Sequence, residues 1–271
     1  MENSRASRAT AAIRLVRLAL HFAQGLATVV LVFPLWSAAR RAREVRRWSR
    51  KLLSLVALRP HCRNLPDPMP PNCLLVLNHV SWLDIFLIDA VQPATFVAKS
   101  EIGAWPLVGT LVSRAGTLYI ERGSRSAVRR TNERIAGALA GGALIACFPE
   151  GTTSHGHAVG RFHGALFQPA IDAGATIQPV ALRYRDPAGR LCEACAYVGD
   201  DSLMKSVWSI VSTRAIVAEL DFLAPLDARG WERRALAQRV EGEIGAALAS
   251  RAATPGDTGP GTPPGPPAAP R

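Results

Sequence analysis

The sequence predicts an α/β fold with a mixed central β-sheet flanked by helices, preceded by an N-terminal hydrophobic helical membrane motif. Three observations predict it. Short β-rich runs alternate with helix-patterned segments from residue 73 to residue 250, as strands joined by helical crossovers do. One long hydrophobic stretch, residues 18–36, is followed directly by a run of arginines. Proline clusters at 66–71 and after 252 punctuate the chain. These divide it into membrane-associating helices with a basic segment (1–65), a folded domain (66–251) and a disordered Pro/Gly-rich tail (252–271).

The N-terminal stretch, LALHFAQGLATVVLVFPLW, is interrupted by His21 and Gln24. As a helix it would reach about 28 Å, against a bilayer core of roughly 30 Å, so spanning the membrane and lying in one leaflet both remain open. A signal peptide with Ser37-Ala38-Ala39 as its cleavage site is the competing reading, and the arginines immediately after it argue against export. The next run, RRAREVRRWSRK (40–51), precedes apolar LLSLVAL (52–58). This predicts two hydrophobic helices joined through a basic surface segment that anchors on anionic lipid headgroups.

Charge distribution bears on partners. The formal net charge is +11, but residues 1–60 hold twelve Lys and Arg against Glu2 and Glu44. The other 211 residues hold 20 basic and 19 acidic groups, so nucleic acid is not an expected partner. Five cysteines, an odd number, make no disulfide framework and suggest a reducing compartment. Cys147 reads as a small buried apolar residue. Cys192 and Cys195 form a C-x-x-C with no second pair at zinc-ribbon spacing. They sit at a strand-like run, where residues three apart point to opposite faces, so neither a metal nor a redox role is expected of them.

The predicted strands are CLLVL (73–77), ATFVA (94–98), TLYIE (117–121), ALIACF (143–148), TIQPVALRY (176–184), ACAYVG (194–199) and AIVAELDF (215–222). Helical patterns fill 81–90, 126–140, 163–173, 203–212 and 230–250. Pro179 makes its strand an edge or marks a bulge.

Chemistry concentrates in LNHVSWLDIF (77–86). On a regular helix His79 and Asp84 would sit roughly 140° apart and could not touch. If the chain leaves a strand at CLLVL, turns at Asn78-His79 and starts a helix near Ser81, the two side chains converge as a catalytic pair. The alternative is that Asp84 merely caps the helix in a Ser81-x-x-Asp84 box. FPEGTTSHG (148–156) repeats the arrangement of a polar, glycine-containing loop after an apolar strand. It lacks the ending of a phosphate-binding P-loop. Lys99 and Arg122 also follow strand-like runs, bringing two cations to the same sheet edge. His155 and His157 read as loop residues, since no third metal ligand accompanies them. His61 and His163 have no assigned partner, and no metal is expected.

These blocks, in order, resemble the lysophospholipid acyltransferase family typified by 1-acylglycerol-3-phosphate acyltransferase. The four are NHVSWLD (78–84), Gly116 to Arg122, FPEGTTS (148–154) and IQPVAL (177–182). In the third, Thr153 stands where the family commonly carries arginine. The resemblance implies a glycerolipid acyltransferase-like fold over 66–251. It implies an O-acyltransferase moving a fatty acyl chain from acyl carrier protein or coenzyme A to a lysophospholipid, foremost 1-acyl-sn-glycerol-3-phosphate, giving phosphatidate. The thioester is a co-substrate and no cofactor is expected.

His79 would act as general base and Asp84 as its orienting partner. Lys99 and Arg122 would bind the anionic headgroup, and Glu150, Gly151 and Thr152 would help position the acceptor. Membrane lipids are the implied partners, at the cytoplasmic face of a bacterial inner membrane, where the basic run after residue 36 would stay. A lyso-ornithine lipid acceptor remains open, because the TTS variant resembles members of the family assigned to it. So do a thioesterase-type hydrolase, in which the same pair activates water, and a non-catalytic membrane-binding module.

Overall fold

The computed structural model describes residues 5–103, 109–110, 116–120 and 125–252. Helix α1 (Arg8–Leu31) starts at Ser7, whose hydroxyl accepts the Thr10 N–H at 3.1 Å. It gives way to a 3-10 turn, Phe33–Leu35, where Pro34 cannot continue the helical ladder. Ser37 then caps helix α2 (Ala38–Leu55). The basic run therefore forms α2 itself rather than a link between two hydrophobic helices. Its apolar residues explain why: Val45, Trp48 and Leu52 recur at helical spacing among the arginines, and Trp48, Leu52, Leu53 and Leu55 are buried.

Helix α1 lays Ala11, Leu18, Gly25 and Val29 against the body and exposes Ile13, Val16, Leu20 and Leu31. Trp48 lies so close to Gly25 that a Cβ there would stand 2.6 Å from the indole nitrogen. By length and composition α1 is able to cross a membrane.

Among the described residues the sheet has eight strands: β1 (Leu58–Arg63), β2 (Cys73–Leu77), β3 (Thr95–Lys99), β4 (Leu118–Ile120), β5 (Leu144–Cys147), β6 (Thr176–Arg185), β7 (Ile216–Phe222) and β8 (Leu226–Asp227). The order is β1-β7-β6-β2-β5-β3-β4, with β8 pairing β6. Strands β2 to β6 run parallel, and β7 is antiparallel to β6. Strand β1, LRPHCR, was not expected: it buries only Leu58 and has no apolar alternation, and its pairing with β7 at the sheet edge makes it a strand. It also lies ahead of residue 66, so the sheet begins upstream of the predicted domain boundary.

Strand β6, expected at an edge because of Pro179, lies in the interior between β2 and β7. Pro179 falls in a gap: β8 pairs residues 176–177 and β7 pairs residues 180–185. There no ladder on that side requires its missing N–H.

ACAYVG is not a strand; Glu193–Cys195 form a 3-10 turn and the chain continues irregularly. The tail beyond Ala252 lies outside the described residues.

The helices form two layers. Helices α1, α2, α3 (Leu83–Val91) and α7 (Leu203–Val211) share a buried core with Leu75 and Leu77 of β2. Helices α5 (Arg125–Ala140), α6 (Gln168–Asp172) and α8 (Arg233–Ala252) contribute to the core on the other face, which takes Leu74 and Val76. Covering both faces is why β2 reads as an unbroken apolar run. The short helix α4 (Ser100–Gly103) follows β3 directly. The helix expected over 163–173 is broken into a 3-10 turn, Gly164–Leu166, and α6.

Candidate active site

The site forms where β2 and β5 end side by side. Asn78, the first residue beyond β2, is buried; its amide nitrogen donates to the Leu182 carbonyl at 2.9 Å and its oxygen accepts the Leu182 N–H at 2.8 Å. The side chain thereby substitutes for a backbone ladder pair with β6. The main chain is free to turn, and it delivers His79 to the sheet edge.

His79 Nδ1 lies 2.7 Å from Asp84 Oδ2. The same oxygen accepts the backbone N–H groups of Val80 at 2.8 Å and Ser81 at 3.0 Å, while Oδ1 accepts the Tyr184 hydroxyl at 2.7 Å. Asp84 therefore caps the turn into α3 and also contacts the imidazole. The Ser81 hydroxyl makes no return bond among the described residues, so the capping box is half built. Burial pushes the Tyr184 phenol well above its ordinary range, and the nearby Asp84 charge adds to the shift. Tyr184 therefore stays a donor.

Because Asp84 accepts from every other neighbour, Nδ1 carries the ring proton. Nε2 then holds the lone pair, and it has no hydrogen-bond partner among the described residues. The ring stacks on Phe148, with centroids 4.1 Å apart, and its side chain is 20% exposed. An oriented imidazole with an open Nε2 can take a proton from an incoming hydroxyl.

The second loop holds this turn in place. Glu150 Oε1 accepts the His79 N–H at 2.7 Å and Oε2 accepts the Gly160 N–H at 2.8 Å. Burial raises its carboxyl, against the lowering effect of those two backbone donors. Ser154 donates its N–H to the His79 carbonyl at 2.8 Å. Gly151 needs its left-handed φ of 69°, and a Cβ at Gly160 would stand 2.7 Å from Glu150 Oε2. Thr152 is exposed, whereas Thr153 turns its hydroxyl inward to the Tyr197 carbonyl.

The structure thus gathers His79, Asp84, Glu150 and Gly151 around one turn. Lys99 closes β3 at the same C-terminal sheet edge, and Arg122 lies outside the described residues. Among the described residues no group of three potential ligands could hold a metal, and burial pushes Cys147 up to about 12, in keeping with its reading as an inert apolar residue.

Sequence reasoning missed the contributions of Asn78 and Gly160, and it missed Tyr184. A tyrosine following the apolar run VAL in the strand TIQPVALRYR was the available signal for the last.

A cavity of about 440 Å³ opens behind the site, between α1, α2, α3 and the start of β3. Phe22, Val29, Trp48, Phe86 and Phe96 line it, with Asp89 in the wall. Phe96 also stacks on Phe148, with centroids 6.2 Å apart, so two aromatic rings separate the cavity from His79.

Comparison with known proteins places this geometry. Residues 61–183 match the family model described as Acyltransferase. The 1-acyl-sn-glycerol-3-phosphate acyltransferase of Neisseria gonorrhoeae is 42% identical over 189 residues, covering 69% of this chain and 74% of that protein. The lyso-ornithine lipid O-acyltransferase of Pseudomonas aeruginosa is 39% identical over 180 residues, covering 66% and 69%. The crystal structure of the 1-acyl-sn-glycerophosphate acyltransferase from Thermotoga maritima superimposes with a TM-score of 0.64 over 90% of this chain and 98% of that one, at 21% identity, and so shares the fold. The chain belongs to the lysophospholipid acyltransferase family and is an O-acyltransferase.

Proposed function

We propose that the protein transfers a fatty acyl chain from acyl carrier protein or coenzyme A to the free hydroxyl of 1-acyl-sn-glycerol-3-phosphate, yielding phosphatidate. The observation that carries this reading is the His79–Asp84 pair with Nε2 open. The acceptor oxygen attacks the thioester carbonyl while Nε2 takes its proton. Collapse of the tetrahedral intermediate expels the thiolate, which is then protonated. Asp84 holds the ring's tautomer and offsets the imidazolium charge. Glu150 acts through the backbone, Oε1 holding the His79 N–H and Oε2 the Gly160 N–H of its own loop. Lys99 and Arg122 are assigned to the acceptor's phosphate. The apolar cavity offers room for an acyl chain, and the exposed apolar face of α1 with the arginines of α2 fits a cytoplasmic leaflet of an inner membrane.

Thr153 supports a second reading. It places no guanidinium in this loop, and its hydroxyl is committed to Tyr197. A less highly charged acceptor, lyso-ornithine lipid, therefore suits the site, and the Pseudomonas relative carries that name.

The test supplies the purified full chain with labelled acyl thioesters and a panel of lysolipids. Phosphatidate is the expected product. Robust acylation of lyso-ornithine lipid with none of lysophosphatidate would replace the acceptor, and release of free fatty acid alone would overturn transfer. Loss of turnover by roughly 10²–10⁴ is expected for His79→Ala.

A further inference from the structure

The turn that was expected to be a strand brings two thiols together. Cys192 is the N-cap of the 3-10 turn Glu193–Cys195, and the Cys195 thiol donates to the Cys192 sulfur at 3.7 Å. A strand would have pointed them apart; the turn places both sulfurs on one side. Both residues are buried, but unequally: Cys195 is fully enclosed, whereas Cys192 retains 9% exposure. The Cys195 thiol, with the backbone N–H groups of Ala194 and Cys195, lowers the pKa of Cys192 against its burial, while the Cys192 contact and burial raise that of Cys195. A less buried thiol cradled by donors beside a fully buried one is the asymmetry thiol–disulfide exchange uses.

The turn is also tied to the active site at both ends. Upstream, the Cys192 N–H donates to the Tyr184 carbonyl at 2.9 Å, and the Tyr184 hydroxyl holds Asp84. Downstream, the Tyr197 N–H donates to the Val80 carbonyl at 3.0 Å, and the Tyr197 carbonyl receives Thr153. Movement of the turn therefore reaches Asp84, which holds the His79 ring, and Val80, which follows it in the chain.

We propose that Cys192 and Cys195 form a redox-active dithiol, oxidised by low-molecular-weight disulfides, whose closure into a disulfide lowers turnover at His79. The Cys192 thiolate attacks one sulfur of the oxidant, breaking its S–S bond, forming a mixed disulfide and releasing one thiolate. Cys195 then gives up its proton and attacks the Cys192 sulfur, expelling the second thiolate. Two electrons and two protons pass to the oxidant, which becomes two thiols. Closing the bond draws the sulfurs from 3.7 Å to about 2.0 Å. The contraction pulls on both anchors. Formation of the disulfide stands independently of the acceptor assigned above; the effect on turnover rests on the acyl-transfer reading.

The full chain is equilibrated in glutathione buffers of increasing oxidised fraction, quenched in acid, alkylated with N-ethylmaleimide and digested with trypsin. Residues 191–205 leave as one peptide carrying both cysteines. Oxidation should render it two hydrogens lighter and unalkylated, with acyl transfer falling at least threefold and returning with dithiothreitol. Cys195→Ser should trap a glutathione adduct on Cys192. Cys192→Ser should keep basal turnover and lose the redox response, which remains readable if the buried Cys195→Ser variant misfolds.

Full alkylation of both sulfurs in the most oxidising buffer would overturn the dithiol. A disulfide without change in turnover would overturn its link to His79. A redox response surviving in Cys192→Ser would assign the effect to another cysteine.

Discussion

Helix α3 carries two buried aspartates, Asp84 near its start and Asp89 near its end, and the fold treats them in opposite ways. Asp84 receives four donors: the His79 ring, two backbone N–H groups and the Tyr184 hydroxyl. Among the described residues Asp89 receives one, the Ala94 N–H at 3.3 Å, and it lies in the wall of the apolar cavity. Burial accordingly pushes the Asp89 carboxyl up to about 7. Burial is common to both; the converging donors fix the orientation of Asp84 toward His79, whereas little offsets the burial of Asp89.

The largest effect should come from Asp84→Asn. An amide cannot accept from every donor that converges there, so the imidazole loses its fixed tautomer. Turnover should fall by roughly 10²–10⁴ with little change in the acceptor's apparent Michaelis constant. Steady-state kinetics on folded protein checks this, and near-normal kcat would reduce Asp84 to a cap.

Asp89→Asn should change the pH dependence of stability, since Asp89 makes no hydrogen bond to His79 or Asp84 among the described residues. Between pH 4 and 7 the folded wild type holds a proton that the unfolded chain has released. Its stability contribution is therefore complete below about pH 4 and is lost as pH rises through about 7, by up to about 4 kcal/mol. Urea unfolding at pH 5 and pH 8 should show this slope in the wild type and a flatter one in the variant. Parallel slopes would mean that Asp89 does not titrate in this window.

Gly160→Ala tests the support beneath the Asp84 end of the helix. The new Cβ displaces Glu150 Oε2, and the His79 turn shifts by less than an ångström. A loss of about tenfold in kcat is expected, below the ~10² of a full ångström of misplacement. Unchanged kcat would detach Glu150 from the geometry of His79. The smallest effect belongs to Tyr184→Phe, which leaves Asp84 three donors. Thermal unfolding should register a loss of about 1–1.5 kcal/mol, and a much larger loss would mean that the four donors act cooperatively.

Much of the site was legible before folding. His79 and Asp84, the FPEGTTS loop and their position after apolar strands were all readable, because strand-ending polar loops leave local patterns in the chain. Misreadings arose where a distant partner decides. β1 carries no apolar alternation, and β7 makes it a strand. Pro179 is tolerated inside the sheet because β8 and β7 leave a gap beside it. The basic run is a helix because its few apolar residues find a core.

By itself the sequence determined the α/β alternation, the candidate His79–Asp84 pair and the family. Periodicity and short polar motifs are properties of neighbours along the chain, and they survive without coordinates. Tertiary structure alone decided that Asn78 locks onto Leu182, that Tyr184 reaches across to Asp84, and that Cys192 and Cys195 meet on one side of a turn. Hydrogen bonds and sulfur contacts depend on angles and on distances of a few ångströms. Residues separated by a hundred positions have no such distances until the sheet is assembled.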